Sequence, residues 1–228
     1  MPVRAIAAVV CATLGALSGP LLAAVIDRVP RKEPVRGADA RPVPQRLRVV
    51  VSVAAAALFG AVGVRFAGDW ALPAYLVLAA SLLVVSVIDL EHYVIPNRVV
   101  YPTIGLALPL LAGAAALEHH WDRLEHALIG GAAAWTLLLL VHLISPRGMG
   151  FGDVRLSFVL GLYLGWLGAG HVALGLFLGF FLGSIAGIAL VIVRRRSRKE
   201  AIPFGPFLAA GAMLAVLVGD PLLRWYNR

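Results

Sequence analysis

Charge is scarce in this chain. Only 14% of its 228 residues are Asp, Glu, Lys or Arg, against 61% hydrophobic residues. A soluble domain of this length carries far more polar surface, so that class is excluded. Cysteine is scarcer: Cys11 stands alone, inside the first apolar run. One cysteine excludes an internal disulfide and a CxxC zinc site, and this one reads as a small lipid-buried residue. Strict apolar–polar alternation is also missing, which argues against a barrel of ten-residue strands. What the chain does have is continuous apolar blocks of roughly 16 to 25 residues, the length that crosses a ~30 Å hydrocarbon core as a helix. The expected fold is all-α: a polytopic transmembrane bundle of about eight helices.

The apolar segments run approximately Val3–Ile26, Val49–Val64, Ala71–Ile88, Val99–Leu117, Ala127–Ile144, Val154–Leu167, Val172–Val193 and Pro203–Gly219. The sixth is short and glycine-rich, so it is either tilted or merged with the seventh. The first has a weak basic start, only Arg4, and is longer than a signal-peptide core, which favours a retained helix. With the N-terminus outside, the inner loops 27–48, 89–98, 145–155 and 194–200 hold fifteen of the twenty Lys and Arg residues. That bias fits the positive-inside rule. The net charge of +8 is therefore a topology signal and gives no reason to expect nucleic acid. The run "RRRSRK", Arg194–Lys199, reads as an anchor that also attracts anionic lipid headgroups. Gly175, Gly179, Gly183 and Gly187 recur every fourth residue, which predicts a close helix-packing face.

Acids beside membrane segments are costly, about 3 kcal/mol for Asp at a helix centre. Only a few abut the apolar blocks directly, and two of these point to a site. Asp89 closes the third segment in "SVIDLEHYVIPNRVV", and Asp153 opens the sixth in "GMGFGDVRLS". The 64 residues between them cover one crossing out and one back, so both belong at the cytoplasmic boundary. Singly, Asp89 reads as a boundary residue and Asp153 as an N-cap. Asp89 at a helix C-terminus, however, opposes the helix dipole. Together they suit another chemistry. Two carboxylates held close keep one shared proton, so one member takes a proton from water while the other donates to a scissile carbonyl. Gly148, Gly150 and Gly152 are then expected to adopt backbone angles closed to other residues and to let a substrate backbone come close. Pro96 restricts the chain beyond Asp89, and Asn97 is expected to cap the fourth helix.

At these residues the chain resembles the type IV prepilin peptidases, a membrane aspartic peptidase family. The resemblance rests on "IDLEHYVIPN", "GMGFGDVRLS" and "AIPFGPFLAAGA", and more weakly on "SGPLLAAVIDRVPRKEPV", in an order that covers nearly the whole chain. It implies that Asp89 and Asp153 are the catalytic pair. It implies a prepilin or pseudopilin precursor as substrate, with a short basic leader, a glycine before the cut and an apolar helix after it. Arg155 stands where the family usually has Lys, and Asn97 where Asp is common. Many members also carry a cysteine-containing cytoplasmic domain between the first two helices, linked to methyl transfer from S-adenosylmethionine. Here the corresponding loop, about 28–48, has no cysteine and is too short to build a cofactor pocket alone. N-methylation is therefore not expected from that loop, and proteolysis needs no cofactor.

Glu91 is the rival carboxylate, but two positions along a helix turn it away from Asp89. His92 reads as a polar loop residue, and His142 as a helix–helix hydrogen-bonding group. The competing functions are a transporter using buried acids as relays, and a non-catalytic scaffold of a pilus or secretion system. The acids lie at helix ends and no repeated halves are evident, against the first. A scaffold leaves the glycine motif beside Asp153 unexplained. The sequence thus predicts a bacterial inner-membrane enzyme among pilus or type II secretion machinery and membrane lipid. Residues 1–70 form a helix pair with a short basic loop, and 71–228 the peptidase core.

Overall fold

In the computed structural model, residues 2–33, 42–146, 148–192 and 203–226 are described. Arg36, Arg41, Arg147, the Arg194–Lys199 run and Arg228 lie outside them, so the roles given above to those cations do too. Among the described residues there are eight helices and no strand. They are α1 (Pro2–Arg28), α2 (Gln45–Arg65), α3 (Leu72–His92), α4 (Asn97–Glu118), α5 (Trp121–Ile144), α6 (Phe151–Leu167), α7 (Ala169–Ile192) and α8 (Gly205–Tyr226). All except α6 are long and apolar enough to cross a membrane, so this is a multi-pass membrane protein. The helices divide into two compact units, Met1–Ile88 with Pro96–His120, and Asp89–Ile95 with Trp121–Arg228. The boundary at residue 70 drawn from the sequence is one of function and falls inside the first unit.

In the first unit, α1 and α2 approach through small residues. A Cβ at Gly63 would lie 2.7 Å from the carbonyl oxygen of Ala7 and 2.9 Å from the Cys11 sulfur. Cys11 is accordingly buried against protein. Without a hydrophobic drive between helices in lipid, such close backbone approach supplies the dispersion contact that holds them. The α3 and α4 helices share a hydrogen bond between the Ser81 and Thr103 hydroxyls at 2.7 Å.

The second unit is built around α6. Twelve of its 17 residues are buried, on every side of the helix, so it carries no amphipathic stripe. Against α5, a Cβ at Gly130 would meet the Gly161 carbonyl oxygen at 2.6 Å. The α6 and α7 helices do not merge. Gly168 separates them with φ +120°, a value L-residues rarely adopt. Three of the four spaced glycines of α7 pack as expected: Gly175 and Gly179 approach α8, and Gly183 faces the Phe204 ring. The last helix runs to Tyr226, past the expected end at Gly219, with Pro221 inside it.

Candidate active site

Asp89 sits in the last turn of α3 and is only 5% exposed. A carboxylate here opposes the dipole of its own helix, and a second helix answers it. The N–H of Gly205, the first residue of α8, donates to Asp89 Oδ2 at 3.0 Å. First-turn N–H groups have no partner within their helix, and the positive end of the dipole favours an anion. Glycine is required here by space. A Cβ at Gly205 would stand 2.8 Å from Asp89 Oδ2 and 3.2 Å from Ile95 Cδ1.

Asp153 is equally buried, at 6% exposure. It is not the N-cap of α6; Gly150 holds that position and Asp153 is the third helical residue. Its Oδ2 accepts the Gly150 N–H at 3.1 Å, one half of a capping box. Its Oδ1 is buried without a hydrogen-bond partner among the described residues. Asp153 precedes the apolar run of α6, and its carboxyl is pushed up to about 7, first by burial and then by the charge of Asp89. The bonds from Gly150 and from its own backbone N–H pull the other way without winning. The two acids therefore feel each other, and Asp153 keeps its proton to near neutrality.

Ile95 joins the two carboxylate-bearing turns. It is buried, and its Cβ would lie 2.9 Å from a Cβ at Gly152, while its Cδ1 faces Gly205. This corrects the expectation for the glycine motif. Gly150 has φ −70° and Gly152 lies in the first turn of α6, and neither is in the left-handed region. Gly152 is needed because Ile95 fills the place of its side chain, so that face is closed to a substrate backbone. Gly148 lies in a turn, its N–H donating to the Ser145 carbonyl at 3.0 Å.

The remaining candidates fall as follows. Pro96, in the first unit, is the N-cap of α4 with φ −76°, and Asn97 is the first helical residue and not the cap, a correction of one position. Tyr93 ends α3 in the left-handed conformation, φ 56°, and its N–H reaches the Asp89 carbonyl at 2.9 Å. The Arg155 guanidinium lies 4.6 Å from the centre of the Phe151 ring. Glu91 is exposed, with its carboxylate 4.0 Å from the His92 imidazole. His142 bonds to the loop, through Met149, and not to another helix. The sequence marked Ile95 only as the start of the Ile95–Asn97 turn, and did not single out Gly205. The "AIPFGPFLAAGA" stretch was the only signal for Gly205.

A family model described as the type IV leader peptidase family matches residues 76–192. A protein of Aeromonas hydrophila named prepilin leader peptidase/N-methyltransferase is 34% identical over 78% of this chain and 60% of its own length. One of the same name from Bacillus subtilis is 34% identical over 75% of this chain and 66% of its own. A third, from Pseudomonas aeruginosa, is 33% identical over 78% and 60%. The chain thus spans about three fifths to two thirds of the length of these curated relatives. No solved structure gives a significant match.

Proposed function

Because the chain belongs to the type IV leader peptidase family, we propose that it is a membrane aspartic endopeptidase with Asp89 and Asp153 as its catalytic pair. Its substrates are prepilin or pseudopilin precursors with a short basic leader. One observation carries this reading: two buried carboxylates, each bonded by backbone N–H groups at a helix N-terminus, feel each other's charge. Nothing in helix packing calls for two such costly groups together.

The chemistry follows from their different surroundings. Asp153 keeps its proton to about pH 7 and acts as general acid toward the scissile carbonyl. Asp89, charged and steadied by the α8 amide, is the general base that takes a proton from the attacking water. On collapse of the tetrahedral intermediate Asp89 passes that proton to the leaving nitrogen, and Asp153 takes its own back from the hydroxyl as the carbonyl re-forms. Residues 71–228 make the peptidase core, with 1–70 as an N-terminal helix pair. The protein sits in the inner membrane with its N-terminus outside, so that a substrate helix lies in the bilayer with its leader in the cytoplasm. The relatives' names also include N-methyltransferase. Hydrolysis uses none of that chemistry, and no step here passes through S-adenosylmethionine.

The test is leader removal from a co-expressed precursor by wild type, Asp89→Asn and Asp153→Asn. Loss of processing in both variants supports the pair. Processing by both would end the proposal.

A further inference from the structure

His142 has no part in the acid–base chemistry, yet it is built into the loop that carries it. It lies in the last turn of α5, half-buried, and its Nδ1 is 2.8 Å from the carbonyl oxygen of Met149. A carbonyl only accepts, so Nδ1 bears the hydrogen. The next residue, Gly150, gives its N–H to Asp153. The imidazole also lies 5.5 Å from the Phe151 ring, and the Arg155 guanidinium lies 4.6 Å from the centre of the same ring. The His142 imidazole thus touches both the Met149 carbonyl and the Phe151 ring that opens α6. Met149 is buried, whereas its neighbours Gly148, Gly150 and Phe151 are exposed. Among the described residues, this side-chain bond ties the end of α5 to Met149, beside the backbone bond from the Gly148 N–H to the Ser145 carbonyl at 3.0 Å.

We infer that His142 is a positioning residue: its Nδ1–H latches the Met149 carbonyl and thereby fixes the Gly150 amide that aims Asp153. The inference rests on the leader-peptidase reading for its catalytic consequence, but the latch itself is a property of the loop. Loss of one such bond shifts the population of a held loop by about three- to tenfold.

Full-length protein in detergent provides two readouts. Amide hydrogen exchange over 148–152, without substrate, should quicken about three- to tenfold in His142→Ala. It should return toward wild type in His142→Asn, whose side-chain amide nitrogen occupies the place of Nδ1. With a precursor peptide, kcat should fall by the same factor in His142→Ala with KM within about twofold, and His142→Asn should recover most of it. Unchanged exchange in His142→Ala overturns the latch, as does an Asn variant no better than Ala in either assay. If wild type leaves the precursor uncut, the leader-peptidase reading fails, while exchange still decides the latch.

Discussion

Replacing Gly205 with alanine adds one methyl group at the most crowded point of the site. It would stand 2.8 Å from Asp89 Oδ2, 3.3 Å from Asp89 Cγ and 3.2 Å from Ile95 Cδ1. Ordinary contact begins near 3.4 Å, so the carboxylate must retreat by several tenths of an ångström. The 3.0 Å bond from the Gly205 N–H is what it retreats from. A hydrogen bond to a charged group contributes about 1.5–3 kcal/mol, so losing it while Asp89 must act as base lowers kcat roughly ten- to hundredfold. Helix propensity pulls the other way, since alanine is favoured over glycine by up to about 1 kcal/mol. A slower enzyme of undiminished stability would therefore isolate the effect on the carboxylate. The assay is cleavage of a purified precursor by Gly205→Ala, alongside thermal unfolding in detergent. Gly113→Ala is the control, because a Cβ there meets nothing within 4 Å. Wild-type kcat in a folded Gly205→Ala protein would refute the assignment of the α8 amide as the group that steadies Asp89.

Cleavage should depend on pH with a definite sign: the Asp153 proton is lost as pH rises through about 7, so kcat should fall on the alkaline side, and a flat profile from pH 5 to 9 would contradict the acid role. Gly152→Ala should impair cleavage, because the added Cβ meets Ile95 Cβ at 2.9 Å; Ile95→Val in the same chain removes only Cδ1 and keeps that Cβ, so it should restore little, and full recovery would show that the Cβ contact is unimportant. Gly161→Leu, at the closest approach of α5 and α6, should lower the unfolding temperature in detergent by several degrees or prevent folding, whereas Gly105→Ala, in open space, should not.

The helices were legible because lipid imposes their length. Eight apolar runs became eight helices, with the break at Gly168 the one point left open. The two aspartates were legible because a carboxylate at the end of an apolar run has a cost that packing does not repay. Their partners were not. The group that meets Asp89 is a backbone N–H 116 residues away, and main-chain donors leave no mark in a sequence. The glycine motif misled in a specific way. Glycine allows both unusual angles and close approach, and at Gly152 it is Ile95, packed against the turn, that makes the second demand. The burial of α6 on all sides was equally hidden, since a helix apolar all round shows no preferred face.

The bond between Gly205 and Asp89 also sets an order of events in the making of the protein. Chains emerge from the ribosome N-terminus first, so Asp89 enters the membrane long before residue 205 is synthesised. Until α8 is laid down, that carboxylate lacks the amide that holds it, although Asp153 is already in the chain. A nascent chain halted between the two segments would have both acids and no Gly205 amide to hold Asp89. Assembly would thus leave the proposed pair incomplete until α8 is in place.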